Sequence, residues 1–178
     1  MSRAGLPAGR ERLFIACWPE PALREAIAAL LAAAGPLPGV PTRRDDWHMT
    51  IAFLGECDAQ RSAAIVQLLR ELPWPHIRLD LAHFGVFDAA RVLWLGSSTT
   101  PAALATARLR LIDDLARLDI AVADAERFTA HITLARSCAG AAARAAPVHA
   151  LRWLLPRPVL ARSTGATAGA RYARYESA

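Results

Sequence analysis

Two short stretches of this chain are built alike. His48-Met49-Thr50-Ile51-Ala52 recurs 83 positions later as His131-Ile132-Thr133-Leu134-Ala135, each copy inside a run that alternates in polarity. Alternation with a period of two marks a strand, and at about 3.3 Å rise per residue it places the His and Thr of each copy on one face, about 6.6 Å apart. That pairing suits a small anion. An imidazolium donates a charge-assisted hydrogen bond and a hydroxyl donates another, without the fixed negative charge a carboxylate would add. Two such pairs brought face to face would hold a phosphodiester from opposite sides. A neutral histidine could then take a proton from the attacking oxygen while a protonated one supplies the leaving oxygen, and an ordinary pKa near 6.5 makes both forms available. One His-x-Thr in a strand is ordinarily a packed or surface histidine; the repetition sets this pair apart. No acidic residue or cysteine lies beside either histidine at the spacing of metal ligands, so neither a metal nor another cofactor is expected.

The surrounding sequence must supply strands to carry the pairs and helices to back them. A strand is expected over Arg12 to Trp18, in the interior of its sheet, followed by a helix that starts at Pro19-Glu20-Pro21, buries Leu23, Ile27, Leu30 and Leu31, and stops at Gly35-Pro36. Trp47 to Leu54 reads as the first motif strand, ended by Gly55, with His48, Thr50 and Ala52 on one face and Met49, Ile51 and Phe53 in the core. Ile65, Leu68, Leu69 and Leu72 give a helix over 58–71; Ile77 to Phe87 and Arg91 to Ser98 form a hairpin across Asp88-Ala89-Ala90. Pro101 to Leu118 is a long amphipathic helix and Phe128 to Ala135 the second motif strand. An alanine-rich turn or short helix over 139–146, strands at Val148 to Leu155, Pro158 to Ser163 and Ala170 to Tyr175, and a loop from Thr164 to Gly169 complete the chain.

Composition narrows the class. With 178 residues, 54% hydrophobic and 21% charged, the chain is long enough for one folding unit with a substantial core. The net charge of +5 favours an anionic partner. All 21 basic residues are arginine, however, and alanine is abundant, a bias that GC-rich coding explains as well as binding does. No apolar run is long enough to span a bilayer, so no membrane partner is expected and the protein is placed in the cytoplasm. Cys17, Cys57 and Cys138 are odd in number and widely spaced, and they encode neither a disulfide framework nor a zinc site.

The stretches His48 to Glu56 (HMTIAFLGE) and His131 to Arg136 (HITLAR) resemble the two signatures of the two-histidine phosphoesterases, specifically the LigT-like family of 2'-5' RNA ligases and RNA 2',3'-cyclic phosphodiesterases. The likeness extends to Arg12-Leu13-Phe14-Ile15-Ala16, to Gly85-Val86-Phe87 with Arg91 to Gly96, and to Ser163 with Gly169-Ala170-Arg171-Tyr172. It implies an α+β, bilobal fold: two pseudo-symmetric lobes whose antiparallel sheets line a central cleft, with helices outside. It also implies roles, namely His48 as proton donor, His131 as proton acceptor, and Thr50, Thr133 and Arg136 as phosphate ligands. The expected reaction is hydrolysis of 2',3'-cyclic phosphate ends of RNA or oligonucleotides to 2'-phosphates. Ligation to a 2'-5' linkage, or RNA-end binding without turnover, are the alternatives. The expected organisation is a flexible leader over 1–11 and one catalytic domain over 12–178, acting as a monomer. Ala130 stands where the family often has proline, and Ile51 where it often has leucine.

Outside the motifs, His76, His83 and His149 lack a threonine two residues on and read as surface or packing histidines. Arg43-Arg44 could guide an RNA backbone into the cleft or be a solvated pair beside Asp45-Asp46. Phe87 could face a base or the core.

Overall fold

The computed structural model describes residues 10–123, 125–138, 146–166 and 169–175. Its strands are β1 (Glu11–Cys17), β2 (Val40–Pro41), β3 (Met49–Cys57), β4 (Arg78–Phe87), β5 (Val92–Gly96), β6 (His131–Arg136), β7 (Ala146–Leu154), β8 (Val159–Ser163) and β9 (Tyr172–Arg174). Three helices, α1 (Pro21–Ala34), α2 (Ala59–Glu71) and α3 (Ala102–Ala116), connect them. Helix α1 starts on Pro21, where a missing N–H is harmless, and ends at Gly35, whose φ of 82° turns the chain away. Asp58 caps α2, its carboxylate accepting from the Arg61 N–H at 2.9 Å.

The strands form two antiparallel sheets, ordered β3-β1-β8-β9 and β2-β6-β5-β4-β7. The sheets are built to one plan. In each, a strand, a helix and a motif strand follow in sequence (β1-α1-β3 and β5-α3-β6), and the motif strand lies beside the strand that opened the unit. Helices α2 and α3 pack on the first sheet, α1 on the second, and β3 meets β6 between the lobes. One continuous apolar cluster joins both sheets, from Ile15 and Met49 to Leu81, Leu95, Ile132 and Trp153. The α+β bilobal architecture expected from the sequence is the one found.

Several boundaries differ. Strand β1 begins at Glu11, inside the expected leader, and residues 1–9 of that leader lie outside the described residues. Gly55 does not end the first motif strand: at φ 70° it lets β3 continue to Cys57. Strand β6 starts only at His131, and the segment between α1 and the first motif strand holds the two-residue β2, which pairs with the end of β6. The alanine-rich turn falls outside the described residues except for Ala146, which opens β7, and the Thr164 to Gly169 loop is described apart from residues 167 and 168. All three cysteines are free and buried.

Candidate active site

The two histidines are held in the same way. His48 Nδ1 lies 2.6 Å from the Asp46 carbonyl, and His131 Nδ1 lies 2.7 Å from the Thr129 carbonyl, again 83 positions apart. A carbonyl only accepts, so each Nδ1 carries the hydrogen and Nε2 is the basic atom of the neutral ring. His48, Thr50, His131, Thr133 and Arg136 line one small cavity of about 60 Å³, which Phe14, Phe53 and Tyr172 complete. All five site residues expected from the sequence are thus brought together.

Aromatic rings surround both imidazoles. Trp18 stacks on His48 with centroids 5.2 Å apart, Phe14 lies at 5.1 Å, and Tyr172 meets it edge-on at 4.7 Å. Phe87 meets His131 edge-on at 4.9 Å and Trp94 lies at 5.9 Å. Burial among these rings pushes His48 down to about 4, helped by the positive charges of Arg136 and His131 and opposed by the Asp46 carbonyl bond. His131 is lowered for the same first reason, with Arg136 adding to it and the Thr129 carbonyl opposing. Both imidazoles are therefore mainly neutral at pH 7, and an anion beside them would favour recharging one of them.

A pair of matched β-bulges shapes the rest of the site. Against β1, Thr50 pairs with Ala16 and Ala52 with Ile15, so Ile51 is an extra residue. Against β5, Thr133 pairs with Trp94 and Ala135 with Leu93, so Leu134 is extra at the equivalent place. A bulge shifts the alternation by one residue. It turns Phe53 and Arg136, equivalent positions three residues beyond each threonine, onto the face of the histidines. The expectation that Phe53 packs in the core is thereby corrected: its side faces the cleft, and the residue is 51% exposed. The carbonyls of both extra residues are satisfied from outside the ladder. Arg108 Nε donates to Ile51 O at 2.9 Å, and the Thr42 N–H donates to Leu134 O at 2.7 Å. Arg108 also reaches the Ala125 carbonyl at 2.7 Å and lies 4.6 Å over the Phe128 ring.

Sequence reasoning missed Phe53 and left unassigned the rings of Phe14, Trp18 and Tyr172 and the carbonyl of Asp46. The 83-residue repeat that pairs His48 with His131 also pairs Phe53 with Arg136, which was the available signal. Phe87 is half-buried against His131 and Trp94. It borders a cavity of about 630 Å³, shared with Phe53 and Phe128, that is also lined by His131. His76 and His149 are exposed, and His83 packs on Trp94. Among the described residues no group of three or more His, Cys, Asp and Glu side chains could hold a metal ion, and no helix is long and apolar enough to cross a membrane.

Residues 15–94 match the family described as LigT like Phosphoesterase. The RNA 2',3'-cyclic phosphodiesterase of Escherichia coli (strain K12) is 33% identical over 132 residues, which cover 74% of each chain. The crystal structure of E. coli LigT complexed with 3'-AMP superposes with a TM-score of 0.82 at 29% identity, over 94% of this chain and 96% of that one. A Thermus thermophilus protein, TT0787, is also 29% identical, with a TM-score of 0.70 over 93% and 95%. With the paired motifs, the doubled sheet plan and these likenesses in agreement, the chain belongs to the LigT-like phosphoesterase family.

Proposed function

We propose that the chain hydrolyses 2',3'-cyclic phosphate ends of RNA or oligonucleotides to 2'-phosphates, with His48 as proton donor and His131 as proton acceptor. The observation that carries this reading is the convergence of two His-x-Thr pairs on one small cavity, each imidazole oriented by an equivalent backbone carbonyl. The relative from E. coli bears the name of this activity, and E. coli LigT has been crystallised with a 3'-nucleotide.

The chemistry follows from charge. Thr50, Thr133 and Arg136 hold the non-bridging oxygens of the cyclic phosphate. Anion binding offsets the Arg136 charge that depresses both histidines and favours an imidazolium beside the departing oxygen. His131 Nε2 takes a proton from water as its oxygen attacks phosphorus in line, the bond to the ribose 3'-oxygen breaks, and His48 protonates that oxygen. The phosphate remains on the 2'-oxygen. Only proton transfers are required of the side chains, so the reaction is proposed to be independent of metals.

The test is a labelled RNA ending in a 2',3'-cyclic phosphate, with the product identified by phosphorus NMR. A 2'-phosphate formed at an unaltered rate in EDTA is the expected result. His48→Ala and His131→Ala should each lower turnover by about 10² or more. A 3'-phosphate product would exchange the acid and base assignments, and loss of activity in EDTA restored by zinc or manganese would overturn the proton-transfer mechanism.

A further inference from the structure

The cleft does not end at the reacting phosphate. Arg136 and Tyr172 line the catalytic cavity on one side and, on the other, a second cavity of about 350 Å³ whose walls include Arg43, Arg171 and Asp46. This second cavity is made by both lobes, because Arg43 follows β2 of one sheet and Arg171 precedes β9 of the other.

Its charge is concentrated. Four arginines of the molecule meet carboxylates, Arg24 with Asp45, Arg44 with Glu25, Arg117 with Asp114 and Arg162 with Glu11, and none of the four lines this cavity. Arg43, Arg136 and Arg171 are exposed and make no ion pair among the described residues. The carboxylate among the lining residues is that of Asp46, only 2% exposed, and its Oδ1 already accepts the Arg171 backbone N–H at 3.0 Å. Three guanidinium groups thus converge against one carboxylate that is largely withdrawn from solvent. Guanidinium groups without carboxylate partners bind phosphate oxygens through paired hydrogen bonds.

A third cavity differs in its lining. The cavity of about 630 Å³ beside His131 adds the rings of Phe53, Phe87 and Phe128 to Arg127 and Arg136 and suits a flat group that can stack. A nucleoside 2',3'-cyclic phosphate seated at the histidines has two further attachments, its base and its 5'-oxygen. The aromatic cavity matches the first, the cavity of Arg43 and Arg171 the second. On the functional reading above, we infer that Arg43 and Arg171, with Arg136, form a subsite for the phosphate on the 5' side of the reacting nucleoside. This phosphate is either a 5'-monoester or the diester that joins the preceding nucleotide. The preferred substrate is then a 5'-phosphorylated nucleotide or an RNA end, and a bare nucleoside cyclic phosphate is a poor one.

Three substrates test this with the intact protein: adenosine 2',3'-cyclic phosphate, the same compound bearing a 5'-phosphate, and the dinucleotide ApA ending in a cyclic phosphate. The wild-type protein should favour both phosphorylated compounds over the bare one by about tenfold or more in kcat/KM at low salt. That preference should shrink at high salt, as exposed charge pairs are screened. The monoester and dinucleotide arms show which of the two phosphates the site takes. In the Arg43→Gln/Arg171→Gln double variant the preference should fall towards one. Equal hydrolysis of all three compounds by the wild type, or a preference that survives in the variant, overturns the subsite while leaving the functional reading intact. Hydrolysis of none of them overturns the functional reading, and the subsite with it.

Discussion

At the scale of single residues, the site works by withholding water from two imidazoles. His48 sits among Phe14, Trp18 and Tyr172, and that burial holds it near 4; His131, against Phe87 and Trp94, is lowered in the same sense. The pH dependence of kcat/KM reports the free enzyme, and that of kcat the bound complex. With both free-enzyme ionisations below 6.5, kcat/KM should peak on the acid side of 6.5 and decline as pH rises through neutrality. The kcat profile should lie at higher pH, because the bound phosphate anion stabilises an imidazolium. Steady-state kinetics from pH 4 to 9 would decide this, and a kcat/KM optimum at or above about pH 7.5 would contradict it. Tyr172 gives an independent handle. Replacing it with alanine admits water to one edge of His48, so the histidine should titrate at a higher pH in the variant, as NMR of the ring protons can follow. A His48 titration that does not move would show that Tyr172 contributes little to the burial.

At the scale of elements, the bulges explain both what could be read in the sequence and what could not. Period-two alternation correctly placed His48 with Thr50 and His131 with Thr133, because each pair precedes its bulge. It failed at Phe53, two residues past the extra Ile51, where the same rule points the side chain into the core. Arg136 lies past Leu134 in the same way and was reached through family resemblance, not alternation. Nothing in the composition of Ile51 or Leu134 announces a bulge, since the cause is remote: Arg108 on α3 and Thr42 ahead of the first motif strand. The helices were legible because their apolar stripes and their proline and glycine ends are local, whereas the two-residue β2 has too little pattern to read. Arg108→Met should therefore leave the Ile51 and Ala125 carbonyls without their charged donor, costing about 2 kcal/mol or more in stability. It should also lower kcat through misplacement of Thr50 and Phe53. Arg108→Lys should recover part of both losses, since an ammonium can reach one carbonyl. Chemical denaturation alongside turnover would check this, and an Arg108→Met protein of wild-type stability and rate would show that the bulge does not need the guanidinium. Gly85 is a second such support. A Cβ there would stand 2.0 Å from the Trp94 ring, which packs on His131, so Gly85→Ala should displace Trp94 and slow turnover more than it lowers stability.

At the scale of the whole molecule, the continuous core across both sheets leads us to infer one folding unit over the described chain despite its two-lobed form. Far-ultraviolet circular dichroism and tryptophan fluorescence should then report a single coincident unfolding transition, Trp153 being fully buried within that shared core. The same core links stability to the active site. An imidazole held neutral by burial binds its proton less readily in the folded than in the unfolded chain, so unfolding takes up protons in acid. Stability from this source is complete above about pH 6.5, the unfolded value, and is lost as pH falls towards about 4, the folded value for His48. A difference of that size corresponds to roughly 3 kcal/mol for His48, with His131 adding to it in the same direction. Urea midpoints measured at pH 7.5 and pH 4.5 should accordingly fall steeply for the wild type. They should fall less for His48→Gln, which keeps a side-chain amide in the aromatic enclosure but has no proton to gain. Inorganic phosphate should oppose the loss, because an anion beside His48, His131 and Arg136 raises the folded-state affinity for the proton and binds more tightly as the histidines charge. If His48→Gln lost as much stability as the wild type between these two pH values, acid unfolding would have to begin at the carboxylates, and the burial of His48 would not govern it.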